Sequence, residues 1–275
     1  MSYENPKIPE GINVSKQQPL LEFVQLTVMV FGGIALVLAL LMVSAGYLAK
    51  FLPFSWEVRL AHNLRLEQLS DSDEHYPLRQ QALQQLSDTL TAAMDFNDTL
   101  SVSPHWLESE QMNAFATLGG QVFLFSELVK KLDSEQALAM VLAHEIAHVR
   151  LRHPIRNLAG GATVQLALAL LGNQQGLNSV GALGVMGYSR RQEQEADILA
   201  LTTVQRVYGN VSGALDFYQQ MTVLHAEPPE WLSTHPATAD RIKILTELIR
   251  ERHWLVENEL KLPMPDVYFS ESTRK

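Results

Sequence analysis

His144 and His148 stand four residues apart with Glu145 beside the first of them, in the run Ala143-His144-Glu145-Ile146-Ala147-His148-Val149. On an α-helix, side chains four apart lie one above the other on the same face. Two neutral imidazoles can then reach a single ion, and Glu145 projects close enough to hold a water on that ion. This is the His-Glu-x-x-His spacing of zinc hydrolases, in which the carboxylate acts as general base. The same spacing also fits a buried helix whose two histidines hydrogen-bond inside the protein. A catalytic zinc needs a third protein ligand and an open fourth position, so the rest of the chain has to supply both.

The elements that would position this pair can be read on either side of it. Leu138, Val141, Leu142, Ile146 and Val149 predict a buried helix, with Asp133 and Gln136 as a capping box and Pro154 as its stop. A later segment, Tyr188 to Asp197, leads into Ile198, Leu199, Leu201 and Val204 at helical spacing and ends at Gly209. Glu193 and Asp197 share one face of it. Acidic residues near a helix start favour the helix dipole, but a carboxylate facing inwards needs a partner, which a metal and its histidines would provide. Glu195, two residues from Glu193, faces elsewhere and is the rival ligand. Ahead of the histidines, Thr99–Ser103 alternates. Asn113–Thr117 and Gln121–Phe125 read as strands around a tight turn at Gly119-Gly120. An exposed sheet edge there could pair with an extended substrate backbone, or the hairpin could be purely structural.

Other features set bounds. With no cysteine, disulfides, thiolate ligands and a cysteine nucleophile are excluded, so any metal rests on His and carboxylates. A formal charge of -9 argues against nucleic acid as partner. Residues 1–22 read as a flexible polar tail. Residues 23–49 carry no charge and suffice to cross a bilayer as one helix, against the alternatives of a core helix or a cleavable leader. The flanking Lys and Arg are too balanced to orient it. Residues 54–94 are helical in pattern, and 158–171 predict a helix over or beside the cleft, open to lipid contact. Asp216 to His225 predicts a helix ending before Pro228-Pro229, and His235-Pro236 opens a long helix running to about Leu260. His235, in a loop, could donate to an oxyanion during catalysis, take the fourth metal position and hold the site closed, or merely cap the helix. His62, His75, His105, His225 and His253 have no motif context, and residues 263–275 read as an irregular tail.

These pieces together resemble the family of membrane-associated zinc metallopeptidases that includes HtpX, BepA and the CAAX prenyl endopeptidases. The likeness rests on His144-Glu145-x-x-His148 and on Glu193-x-x-x-Asp197. It extends to Asn113-Ala114-Phe115-Ala116 with Gly119-Gly120, Arg152-His153, and Ser233-Thr234-His235-Pro236 with Arg241, over about Leu100 to Ile244. Leu118 departs from it, standing where a proline often precedes the glycines. The resemblance implies an α+β, predominantly helical, zincin-like domain over residues 54–262, with a small sheet beside the His-Glu-x-x-His helix and one N-terminal transmembrane helix. It implies one Zn²⁺ held by His144, His148 and Glu193, with Glu145 as base and Asp197 behind a ligand histidine or beside an arginine. Asn113, Ala114, Phe115 and Ala116 would bind substrate. The implied protein is a single-pass endopeptidase of a bacterial inner membrane that cleaves unfolded or misassembled proteins, its catalytic side left open by the charges. A metal-stabilised chaperone that holds clients without cutting them is the alternative. Processing of prenylated peptides fits less well, because that branch encloses its site in several spans.

Overall fold

The computed structural model describes residues 19–63, 77–96, 99–170, 187–223, 235 and 239–269. The tail over 1–18, the helix end before Pro228-Pro229, His75, His225, Ser233-Thr234, Pro236 and residues 270–275 lie outside these. Helices α1 (Pro19–Ala49), α2 (Phe54–Asn63) and α3 (Pro77–Ala93) come first. Then follow strands β1 (Ser103–Leu107), β2 (Ala114–Ala116) and β3 (Gln121–Phe125), and helices α4 (Ser126–Val129), α5 (Glu135–Arg150) and α6 (His153–Leu170). Helices α7 (Arg190–Tyr208), α8 (Asp216–Val223) and α9 (Ala239–Arg252) follow.

The core gathers around α5. Every residue from Gln136 to Val149 is buried, and α7, α3 and the sheet pack against it. Burying side chains such as Leu138, Leu142 and Ile146 stabilises the fold by roughly 1.5–3 kcal/mol each. The cap differs from the expectation: Ser134, not Asp133, accepts the Ala137 amide at 3.2 Å. Gln136 instead clamps the distant C-terminal segment, donating to the Leu260 carbonyl at 2.7 Å and accepting from the Leu262 amide at 2.9 Å. Nor does Pro154 stop α5. The helix ends before it, at Arg150, and the chain then turns at Arg152, whose left-handed φ of 59° goes with side-chain bonds to Glu57 at 2.5 Å and to the Leu52 carbonyl at 2.9 Å. Pro154 then sits in the first turn of α6, where its missing N–H costs nothing.

The sheet runs β1-β3-β2, with β1 parallel and β2 antiparallel to the central, fully buried β3. The first strand lies at Ser103–Leu107, not at Thr99–Ser103. Trp106, buried to 1% exposure, anchors it more strongly than Leu100 or Val102. Gln80 closes the outer edge of β1, donating to the Pro104 carbonyl at 2.6 Å and accepting from the Trp106 amide at 3.0 Å. The hairpin between β2 and β3 is as expected. A Cβ at Gly120 (φ 75°) would sit 2.0 Å from the Ser101 carbonyl oxygen, so the turn admits only glycine there. Leu118 packs with Ala49, Ala61 and Ile155, and this contact fastens the turn to the ends of α1 and α2 and to α6.

Helix α7 closes on Gly209 at φ 70°, as expected, and opens on a capping box of Ser189 and Gln192 that was not anticipated. By contrast, α9 is shorter than the helix expected to reach Leu260. After Arg252 the chain turns at His253 and runs beside the loop after α7, with the Val211 amide bonded to the Leu255 carbonyl at 3.0 Å and the Glu257 amide to Ser212 Oγ at 2.9 Å. Part of the expected tail is packed: Tyr268 stacks on Trp106 at 5.7 Å, so the folded unit continues past residue 262. Helix α1 begins at Pro19, inside the segment expected to be tail, and its apolar surface is largely exposed. It is the one described helix long and apolar enough to cross a membrane, with a mean hydropathy of 2.7 over its most apolar 18 residues. Helix α6 packs along it.

Candidate metal centre

Four side chains from three segments converge. One potential ligand atom from each of His144, His148, Glu193 and His235 lies within 4.8 Å of all the others, and all four residues are buried. Helix α5 presents the two histidines one turn apart, with their Nε2 atoms 3.0 Å from each other. Helix α7, crossing α5, brings Glu193 to 3.5 Å from each of these nitrogens. His235 Nδ1 stands 3.2 Å from His144 Nε2 and 3.0 Å from Glu193 Oε1.

These spacings fit a metal ion. Ligand atoms around a tetrahedral zinc with bonds of about 2.0–2.1 Å lie roughly 3.3–3.4 Å apart, close to the edges observed. Imidazole nitrogens facing each other at 3.0 Å in a buried site need a shared proton or a cation between them.

The surroundings fix each ligand. Asp197 Oδ1 lies 2.9 Å from His144 Nδ1, which orients that ring with Nε2 towards the cluster. Asp197 is held in turn by Arg241, at 2.7 and 2.8 Å, and by the Tyr218 hydroxyl at 3.1 Å. Arg241 also reaches Glu193 Oε2 at 2.7 Å, so one guanidinium braces both carboxylates of α7. Behind His148, His153 Nδ1 lies 2.9 Å from His148 Nδ1. Glu195 does not join the cluster; it lies 3.5 Å from the far nitrogen of His153 and bonds Arg191 at 2.8 Å.

The electrostatics suit this division. Burial disfavours a charged His144, but bonds to Asp197 and Glu193 outweigh it and push its pKa up to about 10. His148 is driven the other way, by burial and then by the positive charge on His144, and stays a neutral ligand. Burial raises the Glu193 and Asp197 carboxyls. Bonds from His144 and His235 in the first case, and from Arg241 and His144 in the second, overcome it and keep both ionised. The proton on His144 is the one a metal would displace.

Glu145 is buried beside the cluster, 3.5 Å from His235 Nε2. Of the expected substrate-binding residues, Asn113 turns its side chain onto the chain itself, with Oδ1 accepting the Ala114 amide at 2.9 Å. Ala114, Phe115 and Ala116 form the edge strand β2. Its inward bonds run at Thr117 and Asn113, so the backbone groups of Ala114 and Ala116 point to the free edge. Sequence reasoning missed Tyr188. Its hydroxyl donates to the Ala116 carbonyl at 3.2 Å, and its ring stacks on His148 at 3.7 Å. Its place just before the cap of the helix carrying Glu193 was the one available signal. Of the other histidines, His62 and His253 are exposed and His105 bonds Gln121 at 2.5 Å.

Comparison with known proteins points to one family. The beta-barrel assembly-enhancing protease of Escherichia coli (strain K12) is 32% identical over 155 residues, 50% of this chain and 32% of that protein. The mitochondrial metalloendopeptidase OMA1 of Bos taurus is 32% identical over 166 residues, 53% of this chain and 32% of its own length. OMA1 of Danio rerio is 30% identical over 195 residues, 62% and 41% of the two chains. The matched region thus spans a third to two-fifths of these relatives. The profile of peptidase family M48 matches residues 77–249, which take in the whole cluster and the edge strand. With that match over more than half its length, the chain belongs to peptidase family M48.

Proposed function

We propose that this chain is a membrane-anchored zinc endopeptidase that cleaves extended segments of unfolded or misassembled proteins. The observation that carries the reading is the meeting of His144, His148 and Glu193 from two helices, with the carboxylate of Glu145 buried alongside. Bound there, Zn²⁺ supplies a Lewis acid that polarises a peptide carbonyl and acidifies water. Glu145 takes the proton of the attacking water on a carboxylate oxygen and passes it to the nitrogen of the leaving amine as the C–N bond breaks. Asp197 and Arg241 keep His144 and Glu193 aimed at one point throughout. Substrate lies extended along β2 and pairs with the backbone of Ala114 and Ala116, which makes cleavage tolerant of sequence.

His235 favours the closing role over the oxyanion one. Its Nδ1 sits at ligand spacing from His144 and Glu193, and its ring stands between them and Glu145. We read the arrangement as a closed state, opened when His235 withdraws from the cluster. Helix α1 anchors the catalytic unit, which runs from residue 54 through Tyr268, in a single pass through a bacterial inner membrane. The relatives named for barrel assembly support a role in envelope protein quality control.

Purified Glu145→Gln protein should bind one zinc per chain and fail to cleave casein, whereas unchanged turnover would sink the mechanism. A holding chaperone would instead bind zinc and clients with no cleavage even in the unmodified protein. His235→Ala should keep its zinc and cleave faster; zinc retained with activity lost would return His235 to oxyanion stabilisation.

A further inference from the structure

A cavity of about 1150 Å³ opens between the last turns of α1, the first turns of α6 and the start of α7. Met42, Val43 and Tyr47 of α1 give it an apolar side, while Lys50, Arg156 and Arg191 give it a basic one. The two helices approach closely here. A Cβ at Gly46 would lie 3.2 Å from the Arg156 carbonyl oxygen, and one at Gly160 would meet Met42 Cγ at 3.6 Å.

The charge in this cavity is unbalanced. Its lone carboxylate, Glu195, already accepts from Arg191 at 2.8 Å. The Lys50 ammonium rests over the Tyr47 ring at 3.9 Å, and Arg156, half-buried, makes no ion pair among the described residues. A chain with a formal charge of -9 therefore gathers three cations against one anion at the end of its membrane helix. A partly buried guanidinium without a carboxylate is free to take an anionic ligand. The apolar side continues into the exposed surface of α1, where Val43 is 69% and Met42 40% exposed. Phosphate chemistry next to a continuous apolar track is that of a phospholipid.

We propose that this cavity binds the headgroup of an anionic phospholipid, with Lys50, Arg156 and Arg191 on the phosphate and the acyl chains running along Met42 and Val43. The site fastens the catalytic unit to the bilayer surface beside Tyr188, which also lines the cavity. The inference rests on α1 lying in a bilayer.

The test uses the full chain in detergent, with native mass spectrometry to count retained phosphatidylglycerol, phosphatidylcholine or inorganic phosphate. Unmodified protein should retain phosphatidylglycerol over phosphatidylcholine. The Lys50→Gln, Arg156→Gln pair should retain it about thirtyfold less, at roughly fivefold per basic side chain. No preference in the unmodified protein would overturn the proposal without recourse to any variant. So would a preference that survives in the Gln pair, or displacement of the lipid by inorganic phosphate. Zinc content of the Gln pair reports whether it folds. Flotation with phosphatidylcholine vesicles tests α1 separately: a chain that fails to float refutes the anchor, whereas a chain that floats but shows no preference refutes only the headgroup site.

Discussion

Tyr188 lies flat against His148, ring centroids 3.7 Å apart, while its hydroxyl donates to the Ala116 carbonyl at 3.2 Å. One side chain thus touches both a histidine of the candidate metal cluster and the edge where substrate would pair. With the Asn113 side chain on the Ala114 amide, two of the backbone groups that face the free edge are already engaged.

Substrate pairing on β2 therefore competes with the Tyr188 hydroxyl. Tyr188→Phe keeps the ring on His148 and releases the carbonyl. Its KM for an extended peptide should fall about twofold to tenfold, the worth of one hydrogen bond, with zinc content unchanged. A rise in KM would mean that the hydroxyl binds substrate instead.

Asp197 sets the tautomer and direction of His144. Asp197→Asn should weaken zinc binding about 10- to 100-fold, measured by competition with a chromophoric chelator. Equal affinity in the two proteins would show that His144 needs no such partner.

Metal uptake should depend on pH through the same pair. In the metal-free protein His144 keeps its proton up to a pKa of about 10, and the metal must displace it. Apparent zinc affinity should then rise roughly tenfold per pH unit across the neutral range, with about one proton released per ion. The sign for folding is opposite. A raised histidine pKa stabilises the metal-free fold fully below the ordinary histidine range, and that contribution is lost as pH rises towards 10. Thermal melts of the metal-free protein from neutral to alkaline pH read this directly.

Arg241 braces two buried carboxylates at once. Arg241→Leu removes the guanidinium that both carboxylates share, leaving His144 as their remaining cation, and should cost up to about 3–5 kcal/mol of stability in the metal-free protein. Arg241→Lys should recover little, because an ammonium cannot reproduce the forked contact. Denaturant melts of the two variants decide it.

What the chain's sequence disclosed about this site divides along physical lines. The pairs His144 with His148 and Glu193 with Asp197 were readable because helical spacing converts directly into a shared face, whereas the roles expected of them and of Glu145 came from the family resemblance. Gly209 was readable as a helix end because local backbone chemistry decides it. Contacts between distant segments were not readable. Gln136 gave the signal of a capping box but serves Leu260 and Leu262, and Gln80 closes a strand it precedes by more than twenty residues. The strand at Trp106 was misplaced because alternation at Leu100 and Val102 resembled it locally, whereas burial of one indole settled the register.

The burial of Leu118 and Ala49 in one small apolar cluster has a consequence for what the enzyme can reach. Through that cluster the turn leading out of β2 is tied to the end of α1 by way of α2 and α6. On the function proposed above, this shared cluster works as a ruler. Polypeptide that emerges from the lipid and runs extended within the span of a few residues meets the cutting edge, while the same sequence farther out in solution does not. Selection would then be by height above the membrane, and lengthening the joint after Ala49 should move the cleavage point along the client without changing which bonds are chemically acceptable.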